Sequence, residues 1–294
     1  SQVQELDSFQ LLQTLESSLI ERLQERSLQI QEIINYHKGD WSQSFYRWMG
    51  YGLGLKVNTT PMLTLTRLVP PGYLNKFRGE QWRVEALLLG ASGLLSGVKW
   101  EEDYPQQLVL EYDFLQRKFN LSSMEAAQWR YARLRPPSFP DLRIAQLGAI
   151  FHQSPDLWRQ ILNTPDVKEL MQLLEVEPEG YWQSHYRLGR KSSPHTSQTG
   201  INTRRNLVIN VIAPFVFEYG RQRDEGFYEQ RALEWLEQLP SEKHSIARIY
   251  KSLGFPQDSA FHTQGQYHLY RHYCSPRKCL SCAIGVKILK KRTK

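Results

Sequence analysis

Between Leu6 and Ile34 the apolar residues Phe9, Leu12, Leu15, Leu19, Leu23, Ile30 and Ile33 recur at steps of three, four or seven, with Glu, Gln and Arg filling the other faces. That spacing writes one apolar stripe along a long helix, whereas a strand repeats its faces every second residue. A stripe of this length needs cover, and the rest of the chain offers more helices. Asp40 is placed to cap "WSQSFYRWMG", and Thr60 with Pro61 starts the next element. Ser122 and Glu125 resemble a capping box ahead of "AAQWRYARL", and Ser154–Pro155 and Thr164–Pro165 repeat the start signal. "EQWRVEALLLGASGLL" is apolar on most faces and reads as a buried helix, with Gly90 and Gly93 suited to close contact or a helix end. "RPPSFP" reads as a rigid extended link, and Pro214 should kink or end the apolar run around it. The polar stretch at 190–206 is the best candidate for a mobile loop. No set of alternating strands is evident. The predicted class is all-α, an irregular bundle of about ten or more helices ending in a cysteine loop.

At 294 residues, 40% hydrophobic and 23% charged, the chain has the composition of a soluble globular protein. Its longest apolar runs are too short and glycine-rich to span a bilayer, so no membrane partner is expected. The opening residues carry no secretory signal pattern. The chain starts without Met and directly in helical sequence, which reads as a piece of something longer.

Charge is distributed unevenly. From Cys274 onward, Arg277, Lys278, Lys287, Lys290, Lys291, Arg292 and Lys294 occur with no acid, which matches the whole net charge of +7 and leaves residues 1–273 formally neutral. The expected division is therefore a helical domain at 1–273 and a cysteine loop with a basic tail at 274–294. A flexible basic end suits a phosphate backbone, although a solvated tail has the same composition.

The cysteines are confined to that region: Cys274, Cys279 and Cys282, and no others. An odd count argues against a disulfide scaffold and for a reducing, cytoplasmic setting. The spacing Cys-x4-Cys-x2-Cys puts three soft ligands on a short loop, with Arg277 and Lys278 placed to lower their pKa values. His268 and His272 lie four apart on the preceding helix, and His272 could complete a Cys3His zinc site. An iron–sulfur cluster is the alternative cofactor, and three reduced cysteines packed near a terminus is the plain structural one.

Around the proline link, Arg130, Arg133, Arg135 and Arg143 flank a helix start, and guanidinium groups beside free N–H donors suit a phosphate. The candidate phosphate-binding residues are thus Arg133, Arg135, Arg143, Arg277 and Lys278, with pairing to acids as the structural alternative. Trp182, His185 and Tyr186 could line a groove that stacks bases, or could be core. No nucleophile elbow, zinc-protease helix, P-loop or dinucleotide pattern occurs, so no catalytic residue is assigned.

Two resemblances follow from these residues. "GQYHLYRHYCSPRKCLSCAIG" resembles the end of the helix-hairpin-helix DNA glycosylases, where a helix runs into a cysteine loop holding a four-iron cluster. That family has a fourth cysteine, a wider first spacing and a glycine-rich hairpin before its catalytic Asp, all missing here, so only the loop's shape carries over. Separately, "GLKVN", "VEALLLGASGLL", "RLRPPSFPDLRIAQ", "YWQSHY", "NLVINVIAPFVFEYG" and "YCSPRKCLSCAIG" are similar to an uncharacterised bacterial family, the domain of unknown function twenty-eight fifty-one. That resemblance implies an N-terminal part, ahead of this region, whose acidic and histidine motifs are similar to metal-dependent nuclease folds.

The function expected is a non-catalytic, metal-stapled helical module associated with nucleic acid and accessory to a catalytic part outside this chain. The alternative is a structural or protein-interaction domain with a purely structural metal.

Overall fold

The computed structural model describes residues 7–292, side chains through Lys290. In chain order the helices are α1 (Ser8–Tyr36), α2 (Trp41–Leu53), α3 (Thr59–Leu68), α4 (Pro71–Leu74), α5 (Gln81–Ala91), α6 (Asp103–Phe119), α7 (Pro140–Gln153), α8 (Leu157–Asn163), α9 (Val167–Leu173), α10 (Ile201–Leu207), α11 (Ala213–Arg223), α12 (Gly226–Gln238), α13 (Ser245–Ser252), α14 (Ala260–Leu269) and α15 (Ala283–Arg292). The only sheet among the described residues is a two-stranded antiparallel hairpin, β1 (His185–Arg187) with β2 (Arg190–Lys191). With 69% of the chain helical, the protein is all-α. No described helix is long and apolar enough to cross a membrane. The chain forms two compact units: residues 33–211, and residues 1–32 with 212–294. The cysteine loop and α15 belong to the second of these.

In the 33–211 unit, Asp40 caps α2 as its sequence indicated, its Oδ1 accepting from the Gln43 backbone N–H at 3.0 Å. Helix α5 is buried from Val84 to Ala91 and packs on α6 and α7. Gly90 is needed for that contact, since a Cβ there would lie 2.0 Å from the Tyr112 ring of α6. Glu85, fully buried, accepts from the Tyr104 hydroxyl (2.8 Å), the Trp182 indole (2.5 Å) and the Glu179 backbone N–H (2.9 Å). His185 Nε2 meets Glu102 at 3.0 Å, and its ring stacks on Tyr181 at 3.9 Å. Tyr186 stacks on His195 at 3.6 Å. Trp182 and His185 are thus core residues, and Tyr186 is packed on a neighbouring ring.

Several local expectations are corrected by tertiary contacts. Residues 122–134 form no helix beyond the short turn Ala126–Gln128. Their backbone is tied elsewhere: Met124 N–H donates to Ala91 O at 2.8 Å, and the Trp129 indole donates to Ser92 O at 2.9 Å. Asn58 pairs with the backbone of Arg130 through both its amide atoms, each at 2.9 Å. Asn58, rather than Thr60, is therefore the residue before α3, with its side chain used for that tie. Ser154 ends α7 instead of starting α8. Helix α9 starts after Asp166, whose carboxylate accepts from Lys168 N–H at 2.5 Å. The 190–206 stretch is anchored by β2, by α10 and by backbone bonds from Ser192, His195 and Thr199 to Ser184, Gln183 and Val176.

In the other unit, the buried residues of α1 run Leu11, Leu15, Leu19, Leu23 and Ile30, while Phe9 and Leu12 are exposed. The stripe thus follows the four-residue step, which Ser27, also buried, continues. Helices α11, α12 and α14 pack in succession. Ahead of Pro214, which supplies no N–H, Val208–Ile212 widens into a π-helical turn before α11 begins.

Candidate metal centre

Helix α14 approaches α1 closely at Gly265. A Cβ on Gly265 would stand 2.5 Å from the Leu15 carbonyl oxygen, so glycine permits the approach. One turn further along α14, that approach sets His268 against Glu21 and Glu25. The helix then continues in π form over Tyr270–Cys274, the segment that carries His272. Such π-turns recur at functional sites because they re-aim side chains without ending the helix.

The result is a compact donor group. Glu25, His268 and His272 are the one group of three His, Cys, Asp or Glu side chains among the described residues whose ligand atoms all lie within 4.8 Å of one another. Glu25 Oε2 is 3.4 Å from His272 Nε2 and 3.8 Å from His268 Nδ1. The two imidazoles stack, centroids 4.1 Å apart. His268 is 4% exposed, and its Nε2 lies 3.2 Å from Glu21 Oε2. As an acceptor, Glu21 selects the tautomer with the proton on Nε2, leaving a lone pair on Nδ1. That buried Nδ1 has no hydrogen-bond partner. Tyr273 steadies Glu21 by donating its hydroxyl at 2.9 Å. Burial, and next the neighbouring His272, lower the pKa of His268, which keeps it neutral and able to donate its lone pair.

Two imidazole nitrogens and one carboxylate, with a carboxylate behind one histidine, form a donor set that suits zinc and leaves a coordination position open. The cavity beside them holds about 270 Å³ and is lined by Arg22, Arg26 and Arg271 as well as the three donors. Burial pushes the Arg22 guanidinium down to about 10, with Arg26 adding to the effect. A divalent cation on Glu25 would leave this wall positive, so the ligand best suited to the open position is an anionic oxygen.

His272 is in the donor group. The cysteine sulfurs are not, and do not form such a set among themselves. Cys274 and Cys279 are exposed thiols, whereas Cys282 is buried in an apolar cluster with Leu11, Leu15, Tyr250, Phe255, Leu269 and Ile284. The Tyr250 hydroxyl lies 3.1 Å from Cys274 Sγ. Burial raises the Cys274 pKa, contrary to the lowering expected from Arg277 and Lys278, both of which are exposed. After the loop the described chain is helix α15, and Lys291, Arg292 and Lys294 lie outside the described side chains. Arg133 and Arg135 are exposed, and only Arg143 is buried. Glu21, Glu25, Arg22 and Arg26 were missed: in the sequence they are the polar faces of α1, and their one signal is a carboxylate pair at i, i+4 beside two arginines.

A family profile described as "Protein of unknown function (DUF2851)" matches residues 1–245. The match takes in Glu21 and Glu25 and ends before His268 and the cysteine loop. No curated protein and no solved structure matches the chain.

Proposed function

The chain belongs to the DUF2851 family, and on that premise we propose that it is a zinc-binding helical module that gathers a nucleic-acid phosphate. Glu25, His268 and His272 hold the metal. Arg22, Arg26 and Arg271 receive the phosphate oxygen that completes its coordination. The observation that carries the reading is the buried, unpartnered His268 Nδ1 facing Glu25 and His272. A buried imidazole nitrogen left without a partner is costly unless a ligand takes its lone pair. The metal is thus assigned to imidazoles and a carboxylate, with the cysteine loop packing beside α14. The donor set fits zinc better than an iron–sulfur cluster, which calls for thiolates. The role is binding, accessory to catalysis carried elsewhere, in the reducing cytoplasmic setting that free cysteines suit.

The test is a zinc titration of the purified chain, followed by nucleic-acid binding across a salt series. One zinc per chain is expected, with affinity reduced about a hundredfold or more by His268→Ala and about ten- to a hundredfold by Glu21→Gln. Nucleic-acid binding should weaken steeply with salt and depend on zinc. Zinc retained with no binding of nucleic acid at low salt would favour the purely structural metal. No zinc binding, or equal affinity in His268→Ala, would sink the reading.

A further inference from the structure

The 33–211 unit contains a second, unrelated feature: a buried cation that meets no acid. Arg143, in the first turn of α7, is 6% exposed. Its Nη1 donates to Gln146 Oε1 at 2.8 Å, while Nη2 has only two longer bonds, to Thr203 Oγ1 at 3.2 Å and Ser138 Oγ at 3.5 Å. Its Nε has no hydrogen-bond partner. Among the described residues no carboxylate comes within ion-pair distance of it. The nearest acid in sequence, Asp141, is engaged by the Tyr131 hydroxyl (2.5 Å) and the Leu188 backbone N–H (3.0 Å). Charged side chains this deeply buried are nearly always paired, because desolvation otherwise penalises the charged form.

The arginine lines a cavity of about 200 Å³. The other polar side chains of its wall are Ser138, Asn202, Thr203 and Asn206, and the rest is apolar or glycine. Arg143 is buried, whereas Asn202 and Asn206 are exposed, so the cation is at the depth of the cavity and the amides are at its mouth. No acid lines it. Hydroxyls and amides can all turn a donor toward an oxyanion. The volume is below that of pockets for drug-sized molecules and suits a small group.

We propose that this cavity is a phosphate site, in which Arg143, Ser138 and Thr203 hold the phosphate oxygens and Asn202 and Asn206 close over them. The ligand is inorganic phosphate or the terminal phosphate of an ester, and the buried guanidinium supplies the charge that an anion brings into balance. Burial alone pushes its pKa down to about 10, which leaves it cationic at neutral pH. The site uses none of the zinc-binding residues, so it stands or falls independently of the metal centre.

Thermal unfolding of the whole chain against inorganic phosphate tests it. The melting temperature should rise with the logarithm of phosphate concentration, as for a ligand that binds only the folded state. Arg143→Met should remove the rise. Because a buried substitution can disturb folding, Asn206→Asp is the second variant: it places a carboxylate at the exposed mouth and can still accept the 2.6 Å bond from Asn210. It should weaken phosphate binding about tenfold or more through like-charge repulsion. A 5′-phosphorylated oligonucleotide binding more tightly than inorganic phosphate would identify a terminal phosphate as the ligand, and the reverse order would identify the free ion. No phosphate-dependent stabilisation, or the same phosphate affinity in Asn206→Asp, would overturn the proposal.

Discussion

Glu85 and His268 are both buried polar side chains, and they are provided for in opposite ways. Glu85 has both carboxylate oxygens met by donors from three separate positions, Tyr104, Trp182 and Glu179. His268 has one nitrogen held by Glu21 and the other without a partner. A buried group whose every atom is satisfied fixes the frame around it, since removing it strands its partners. A buried group with one atom unmet, close to two further donor side chains, has capacity that the frame does not use.

The largest loss of stability is expected at Glu85. Glu85→Ala leaves an indole N–H, a hydroxyl and a backbone N–H buried without an acceptor, and should cost about 3–5 kcal/mol of stability in urea unfolding. His268→Gln, measured without metal, should cost about 1 kcal/mol or less, because half of its hydrogen-bonding capacity is idle in the folded protein. Equal losses in the two variants would show that His268 is as much a part of the frame as Glu85.

The same contrast explains what could be read from the sequence. The stripe of α1 and the Asp40 cap are local: leucines four apart and a carboxylate before a helix carry their meaning within one element. The segment after Ser122 has local capping signals too, yet Asn58, Ala91 and Ser92 take its backbone and side-chain partners, and those residues are far from it in sequence. His272 was legible as a candidate donor because His268 precedes it by one turn. Its partners were not, since Glu21 is 247 residues from His268 and reaches it only because Gly265 lets α14 settle on Leu15. The cysteines drew notice by their spacing, but spacing does not say which way a short loop turns its sulfurs. Of the arginines at the proline link, Arg143 alone is drawn inward, in the first turn of α7, which is buried from Pro140 to Phe151, while Arg133 and Arg135 stay on the exposed link.

Glu85 and His268 also titrate with opposite consequences, so their contributions separate with pH. Burial raises the Glu85 carboxyl to about 7 from an ordinary 4.5. Between those values the folded chain holds a proton that the unfolded chain has released. Its contribution to stability is therefore fully present below pH 4.5 and is lost as pH rises through about 7. His268 is lowered from 6.5, so the unfolded chain binds the proton first and stability is lost as pH falls below 6.5. His37, His152 and His262 are lowered too and act in the same direction. Stability should pass through a maximum on the acid side of neutrality. Glu85→Gln should flatten the loss between pH 4.5 and 7, a change on the order of 2 kcal/mol across that window. Zinc should deepen the fall below pH 6.5, because protons compete for its imidazole ligands. An unchanged slope in Glu85→Gln would mean that the carboxyl ionises normally despite its burial.

The smallest change is expected at Cys279, and two cysteine substitutions decide between the two possible seats for a metal. Cys279 is exposed and stands outside the donor group of Glu25, His268 and His272. Replacing its thiol with a hydroxyl removes no buried contact, so Cys279→Ser should change stability by about 0.5 kcal/mol or less and leave zinc content as it was. Cys282 differs, being packed among Leu11, Leu15 and Ile284, and Cys282→Ser should destabilise by about 1–2 kcal/mol through a hydroxyl placed in apolar surroundings, again with zinc retained. The two substitutions therefore separate packing from ligation: a ligand role predicts zinc loss in both, and a packing role predicts a stability loss in one and zinc loss in neither. Zinc that disappears with Cys279→Ser and survives His268→Ala would move the metal to the loop, and the unmet nitrogen of His268 would then need another explanation.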